Sequence, residues 1–261
     1  TLSQSRLAAA YLEQAEKFGV SIELTAQVQT SNYDRKNSVI LINENLDAAN
    51  QVLLASRELR RHAQHRAGAL INPLSFHPDS AILINRAQQA DLMTSMIRIA
   101  WELQLAGEKS AWERVENSAF ADLGRAFVRE AYMDFRTINS GQAATSVFEA
   151  WFLSERCRAE DKTLIRQMLA DHEGYVFDID NAHQSIAPTF LAALGEMPFG
   201  KNYLAAHTET IMADAIFTDV RDRSNANFLW FIKFERTFRE TERDLQSEFS
   251  SAASTREGTQ E

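Results

Sequence analysis

The segment Arg57-Glu58-Leu59-Arg60-Arg61 places a carboxylate between two long cationic side chains that stand four residues apart. Positions with this spacing lie on one face of a helix. Two histidines at the outer positions would bind zinc, and the glutamate would take a proton from the zinc-bound water. Here both outer positions are arginine, whose guanidinium stays protonated and offers no lone pair to a metal. The segment therefore indicates either a zinc-type site that has lost its ligands or a solvated basic helix face.

A relocated metal site is an alternative on the same helix. Glu58, His62 and His65 stand at positions i, i+4 and i+7, and His77 could add a fourth ligand. His62 follows Arg61 by one residue, so it points about 100° away from the Arg61 position. Ordinary surface or loop histidines remain the simpler interpretation.

The two outer arginines also permit two interpretations. Two guanidinium groups one turn apart suit a carboxylate or phosphate ligand. The favoured interpretation is an internal ion pair, in which Arg57 or Arg61 contacts Glu58, Asp91 or another acid. Cys157, between two arginines, is expected to be an unreactive thiol because no histidine or acid arrangement marks it as a nucleophile.

The elements that position these residues follow from local signals. Asp47 can cap a helix that carries the motif and ends near Gly68 and Pro73. A second long helix is predicted from Asp79 or Ser80 to Gly107. Before them, apolar and polar residues alternate over 20–28, and 38–43 is a short apolar run. These two segments are predicted to pair as a β-hairpin around the polar turn "TSNYDRKN".

The rest of the chain predicts a predominantly helical α+β fold. Only 9 glycines and 4 prolines in 261 residues favour helices. A single domain is expected over 1–249, followed by a disordered tail over 250–261. Further helices are predicted near 110–135, 142–170, 186–194, 203–217 and 225–248, with an amphipathic helix at the start and a short extended piece at 173–180.

Composition restricts the partners and the location. The formal net charge of −9 argues against a nucleic-acid partner. No apolar run approaches the roughly 20 residues of a membrane span, and no signal-peptide pattern opens the sequence. The single cysteine favours a reducing compartment, so a cytoplasmic location is expected. The aromatic-rich stretch 228–238 predicts core or subunit packing, which leaves a homo-oligomer open.

The hairpin and the two long helices together resemble a bacterial family of unknown function classed as putative metallopeptidases, with a zincin-like helical domain. In that family the first helix reads approximately H-E-L-R-H-x-x-Q, and here it reads "RELRRHAQ". The second reads approximately R-x-x-E-A-D-A followed by A-W-E-L, and here it reads "RAQQADL" followed by "AWEL". The resemblance spans about 20–170.

When the family pattern is placed on this sequence, residues other than the expected ligands stand at all three metal-ligand positions. The ligand positions fall on Arg57, Arg61 and Gln89, and the general base falls on Glu58. The surrounding positions that match the pattern are Gln64, Arg86 and Asp91. A neutral glutamine and two cations make a poor zinc site, because the cations repel a divalent ion.

The resemblance therefore implies a catalytically inactive metallopeptidase-like protein with no zinc cofactor. Such a protein could bind an unknown peptide or protein partner in the old cleft. The alternative is a metal-dependent hydrolase with a relocated site at Glu58, His62 and His65. A third hypothesis is a helical scaffold in which the likeness is only ancestral. If the resemblance holds, Glu58 and Gln89 approach one another across two packed helices, and the strand "SVILIN" lies beside the first.

Overall fold

The computed structural model describes residues 1–170 and 184–257, and helices dominate this part of the chain. The predicted α+β class with a predominance of helix is confirmed. The helices are α1 (Arg6–Lys17), α2 (Ala48–Arg66), α3 (Pro78–Leu105), α4 (Ser110–Glu116), α5 (Ala121–Met133), α6 (Thr137–Ser140), α7 (Gln142–Phe152), α8 (Glu155–Ala170), α9 (Pro188–Leu194), α10 (Thr208–Ala213), α11 (Ala215–Thr218) and α12 (Arg223–Glu257). Short 3-10 turns occupy Leu2–Gln4 and Pro73–Ser75.

A small sheet precedes α2 and differs from the predicted hairpin. Its strands are β1 (Ser21–Thr25), β2 (Ser31–Asp34) and β3 (Val39–Asn43), in the order β1-β3-β2. β1 pairs with β3 in parallel, and the hairpin is formed by β2 and β3. The expected polar turn contains β2, which is mostly polar but buries Tyr33 against the core. One additional strand reverses the chain once more, so β1 and β3 run in the same direction.

The central place of β3 explains its apolar composition. A strand that pairs on both sides and packs on a helix buries both of its faces more than an edge strand does. β2 and β3 both pack against α2, as predicted for "SVILIN". Because β3 is internal to the sheet, the free edges that could accept an extended peptide belong to β1 and β2.

The ends of the two motif helices follow the predicted signals closely. The Asp47 carboxylate caps α2 by accepting the amide of Asn50 at 2.9 Å. Gly68 and Gly107, just beyond α2 and α3, have φ of +69° and +99°, a conformation that glycine adopts without steric cost. α3 starts one residue earlier than predicted, at Pro78, because proline tolerates the first helical turn.

Three predicted long helices are interrupted. The segment 110–135 divides into α4 and α5, 142–170 into α7 and α8, and 203–217 contains only α10 and α11. Interruptions of a few residues leave apolar periodicity in place, so the sequence pattern did not reveal them. The predicted extended piece at 173–180 lies outside the described residues. α12 continues through Glu257, beyond the boundary at 249, and 258–261 are outside the described part.

α3 forms the centre of the molecule and buries most of its side chains. It contacts α1, α2, α4, α5, α7, α8, α9, α11 and α12. One large core surrounds it, and a second, smaller apolar cluster joins α3 and α8 to α12. That cluster consists of Ala81, Ile82, Leu164, Ile165, Met168, Leu229 and Ile232.

The aromatic residues of α12 lie outside the core, so core packing is wrong and subunit packing stays a prediction. Phe228, Trp230, Phe231, Phe234 and Phe238 are 44–63% exposed, and the buried face of α12 is formed by Leu229 and Ile232 instead. Across 1–170 and 184–257, no helix has the length and apolar character needed to cross a membrane.

Candidate functional site

Glu58 lies fully buried on α2, facing β2. Its Oε1 accepts a hydrogen bond from Ser31 Oγ at 2.8 Å. The same oxygen accepts Arg57 Nε at 3.0 Å and Arg57 Nη2 at 2.9 Å. Arg57 Nη2 also donates to Ser31 Oγ at 2.9 Å, which closes a three-residue cluster between α2 and β2.

Arg61 approaches the other oxygen of the same carboxylate. Its Nη1 lies 3.4 Å from Glu58 Oε2, an ion pair one helical turn apart. Within the described residues, Oε2 accepts no hydrogen bond. The expected internal ion pair is therefore confirmed for both arginines, and its partner is Glu58 on their own helix.

Asp91 is held by Arg60, the residue that the motif treats as a spacer. Arg60 Nε donates to Oδ2 at 2.7 Å and Nη2 donates to Oδ1 at 2.9 Å, with both side chains buried. Gln64 Nε2 donates to Oδ2 at 2.7 Å, and Tyr203 Oη donates to Oδ1 at 2.7 Å. Of the acids predicted as partners of Arg57 and Arg61, the structure shows Glu58, whereas Asp91 pairs with Arg60.

The Arg60 guanidinium extends this network to two more elements. Nη1 donates to Tyr11 Oη on α1 and to the carbonyl of Glu196, both at 2.9 Å. Nη2 donates to the carbonyl of Leu194 at the end of α9, at 2.6 Å. A sequence signal existed: Arg60 follows Leu53 by seven residues and therefore shares the apolar face of α2. A cation on a buried face indicates a buried partner.

Arg86, which matches the family pattern on the second motif helix, has its contacts in a different part of the fold. Its Nε and Nη2 donate to the two oxygens of Asp161 on α8, each at 2.8 Å. Its Nη1 donates to the carbonyl of Phe217 at 2.6 Å. Arg86 thus ties α3 to α8 and α11, whereas Gln64 and Asp91 belong to the network around Arg60.

The "AWEL" segment has a structural explanation. Trp101 packs in the main core, and Glu102 binds the start of α1. Glu102 Oε2 accepts Ser5 Oγ at 2.7 Å and the Leu7 amide at 2.8 Å. Arg98 Nε donates to Oε1 at 3.0 Å and positions that carboxylate.

Arg61 and Gln89 line one cavity between β2, α2 and α3, of about 450 Å³. Two of the three replaced ligand positions therefore share one cavity, whereas the approach of Glu58 to Gln89 stays a prediction. The lining residues are Tyr33, Arg35, Arg61, Gln64, Leu70, Ile71, Asn72, Pro73, Asn85, Gln88, Gln89 and Leu92. The sequence did not indicate Arg35, because it lies in the turn after an unpredicted strand.

Glu160 of α8 is a further acid that sequence reasoning missed. Burial raises the pKa of Glu160, while the charges of Arg57 and Arg61 act in the opposite direction. Asn85 also forms a hydrogen bond with this carboxyl group. The signal was weak, since Glu160 lies 99 residues beyond Arg61 in a helix with many charges.

The histidines of the alternative metal site have aromatic neighbours. The ring of His62 is fully buried, and its centroid lies 6.1 Å from that of Phe18 and 5.5 Å from that of Tyr33. Burial lowers the pKa of His62 to about 4. His65 Nδ1 lies 3.0 Å from Tyr33 Oη, and His77 accepts the Asp79 amide at the start of α3.

The residues present do not fit a catalytic zinc ion. Arginine has no lone pair for a metal, and Glu58 Oε1 already accepts three hydrogen bonds from Ser31 and Arg57. Across 1–170 and 184–257, no three His, Cys, Asp or Glu side chains are grouped so that they could hold a metal. Cys157 is buried, and burial raises its pKa to about 12, so its thiol stays protonated.

The family whose model matches this chain is described as a putative metallopeptidase family (DUF6782), and the match covers residues 1–205. This range extends the 20–170 resemblance at both ends and includes α1 and α9, which Glu102 and Arg60 contact. No curated protein and no solved structure matches the chain significantly. Because the match covers well over half of the 261 residues, the chain belongs to this family of putative metallopeptidases.

Proposed function

We propose that this protein is a non-catalytic member of its family, which binds a peptide in the cleft where other members would hold a metal. The observation that carries the proposal is the occupation of the Glu58 carboxylate by Arg57, Ser31 and Arg61. A general base for hydrolysis must reach a metal-bound water. In this chain the carboxylate instead pairs with two cations at the positions that the family pattern gives to metal ligands.

The ion-pair cluster also opposes metal entry electrostatically. Two unit charges about 4 Å apart interact by roughly 4 kcal/mol at an effective dielectric of about 20. A divalent cation near Arg57 and Arg61 would meet this repulsion from both side chains. Glu58 compensates only part of it, because one carboxylate carries one negative charge.

The surroundings of the cluster support retention of a peptide cleft. β2 is an edge strand, and its Ser31 contacts Glu58 while Tyr33 lines the neighbouring cavity. An open edge offers unpaired backbone groups to which an extended peptide can add as another strand. The binding surface would then consist of the β2 edge and the cavity between α2 and α3.

The proposal is tested by zinc analysis of protein purified without a metal-affinity tag. We expect zinc well below one ion per chain in the parent after equilibration with zinc and dialysis. The variant Arg57→His/Arg61→His/Gln89→Glu is expected to retain about one zinc ion per chain, because it restores a ligand set that zinc accepts. The matched control Arg57→Asn/Arg61→Asn removes the same two charges without adding histidine, and should retain none.

Near-stoichiometric zinc in the parent would overturn the proposal. Loss of that zinc in His62→Ala and His65→Ala would instead identify a metal-dependent hydrolase with the relocated site at Glu58, His62 and His65. Parallel assays with denatured casein should show no metal-dependent hydrolysis by the parent.

A further inference from the structure

We infer that the cavity between β2, α2 and α3 binds a carboxylate of a peptide, with Arg61 and Arg35 as its cationic partners. The inference deepens the proposed function and rests on it, since it names the chemistry that the cleft selects. The carboxylate belongs either to the carboxyl terminus of the peptide or to an acidic side chain. These two sources share one recognition chemistry and are separated below by experiment.

The composition of the cavity lining is the first observation. The chain carries 36 acidic and 27 basic residues, yet none of the twelve lining residues is acidic. The lining has two arginines, one tyrosine and five side-chain amides, and the remainder is apolar. A concave surface that carries two arginines and no carboxylate attracts an anion rather than a cation.

Unused hydrogen-bonding capacity is the second observation. Within residues 1–170 and 184–257, Arg61 makes only the 3.4 Å ion pair with Glu58, although a guanidinium carries five N–H donors. Among the described residues, Arg35 has no ion pair or hydrogen-bond partner, and the Gln89 amide has no hydrogen-bond partner. Arg61 is three-quarters buried, and burial lowers its pKa, so its donors have lost water without gaining strong acceptors. A carboxylate can accept two parallel N–H groups from such a guanidinium.

The charged groups around the cavity sum to a net positive charge. Three arginines, Arg35, Arg57 and Arg61, lie around the cavity against the two carboxyl groups of Glu58 and Glu160. Glu58 Oε1 is already committed to Ser31 and Arg57. The positive charge in excess is therefore on the side of Arg61 and Arg35, which line the cavity.

The size and the amides of the cavity select a peptide end or short segment. A volume of about 450 Å³ lies within the range of about 300–1,000 Å³ that is usual for small-ligand sites. Asn72, Asn85 and Gln89 can pair with peptide groups, and the free edge of β2 begins beside them. A carboxylate in the cavity would thus fix the register of a strand added along β2.

The test follows the arginine Nε–Hε signals of the full chain by heteronuclear NMR during titration with three small peptides. The probes are N-acetyl-trialanine with a free carboxylate, its carboxyl-terminal amide, and the amidated peptide N-acetyl-Ala-Asp-Ala. We expect saturable shifts of the Arg61 signal with at least one carboxylate-bearing probe and no saturation with the trialanine amide. The free-acid and aspartyl probes show which source of carboxylate the cavity accepts.

Variants connect the signal to the cavity. Arg61→Gln and Arg35→Gln should each weaken binding about 10-fold or more, the usual range for a lost charge-assisted hydrogen bond. Arg158→Gln removes the same charge from an exposed pair on α8 and should leave binding unchanged. If Arg61→Gln perturbs the fold, Arg35→Gln, in an exposed turn, gives the same measurement.

Equal saturable binding of the acid and amide forms would overturn the carboxylate site and leave the peptide cleft intact. Saturation by inorganic phosphate but by none of the peptides would show an anion site without peptide recognition, and would also overturn the inference. Absence of any saturable shift would reject both the carboxylate site and peptide binding. The zinc measurement above remains an independent test of the lost catalytic centre.

Discussion

Arg57, Arg60 and Arg61 lie within little more than one turn of α2, and their partners assign them different roles. Arg60 is buried and bonds Asp91 and three further groups on other elements. The Arg57 and Arg61 side chains keep about a quarter of their surface exposed and pair with Glu58 on the same helix. Arg60 is therefore a structural tie between elements, whereas the other two belong to the proposed cleft.

The first prediction concerns the Arg60–Asp91 pair. Removing one partner leaves a buried charge without compensation, so Arg60→Ala and Asp91→Ala should each reduce the free energy of unfolding by about 3–5 kcal/mol. The double variant should lose far less than the sum, because the two side chains interact directly. Chemical denaturation measures these values. Arg114→Ala, which breaks the exposed pair with Asp47, should cost less than about 1 kcal/mol.

In contrast to the Arg60–Asp91 pair, Asp91 should show little energetic coupling with Arg57 or Arg61. Double variants that combine Asp91→Ala with Arg57→Ala or Arg61→Ala should show losses that nearly add. Strong coupling of Asp91 with either of these arginines would contradict the partner assignment.

The second prediction concerns His62. Burial, then the charges of Arg66 and His65, lowers its pKa to about 4 from 6.5. Between these values the unfolded chain binds a proton that the folded chain does not, so this contribution to stability falls as the pH decreases. The loss relative to neutral pH should reach about 2 kcal/mol near pH 5. His62→Leu, which keeps apolar contacts with Phe18 and Tyr33, should not show this loss of stability.

The measurement compares denaturation of the parent and His62→Leu at several pH values from about 7.5 down to about 5. His65, with a pKa lowered in the same direction, and Glu160, with a raised pKa, contribute to both proteins and cancel in the difference. Parallel stability curves for the two proteins would show that His62 is not buried as the neutral form.

At the scale of elements, side-chain caps and carboxylates fix how helices meet. Glu102 of α3 accepts hydrogen bonds from the Ser5 hydroxyl and the Leu7 amide, so it satisfies one of the free backbone N–H groups at the start of α1. Tyr11, one turn after Leu7, accepts a hydrogen bond from Arg60 of α2. α1 is therefore tied at two points to the pair of helices that carries the motif.

The third prediction follows from the first of these ties. Glu102→Ala removes the acceptor for Ser5 and the Leu7 amide and leaves Arg98 without its ion pair. We expect amide hydrogen exchange in α1 to accelerate by about 10-fold or more, since two charge-assisted bonds are lost. Exchange in α8, which does not pack extensively against α1 in the described part of the chain, should change little. Uniform acceleration in both helices would indicate global destabilisation instead of undocking of α1.

Signals between neighbouring residues predicted the helices. Contacts between residues far apart in the sequence could not be predicted in the same way. Asp47, Gly68 and Gly107 act on their immediate neighbours, so the bounds of α2 and α3 could be derived from sequence. The pairing of β1 with β3 depends on β2, which has only one apolar residue facing the core and no recognisable alternation. The partners of Arg60 and Arg86 lie up to 136 residues away, a choice that no local pattern determines. The family resemblance indicated that the two motif helices pack together, but it did not predict that Arg61 and Gln89 line one cavity.

At the scale of the whole molecule, the match to the family ends before α12 begins. Yet α12 closes the second apolar cluster, in which Leu229 and Ile232 pack on residues of α3 and α8. Its opposite face exposes five aromatic side chains. α12 is thus attached to the part of the fold that the family model matches by a short apolar seam near its start and by the exposed Lys233–Asp79 ion pair.

The last prediction asks whether this seam makes α12 part of one cooperative unit, as the expected single domain over 1–249 requires. Ile232 is 7% exposed, and Ile232→Ala should lower the free energy of unfolding by about 2–4 kcal/mol. Phe231→Ala, at the adjacent but 44% exposed position, should have a much smaller effect. If α12 unfolds together with α3, far-ultraviolet circular dichroism and tryptophan fluorescence should report the same lowered midpoint for Ile232→Ala. If α12 detaches alone, the main transition should keep its midpoint and a separate early loss of helix should appear, which would place α12 outside the cooperative domain.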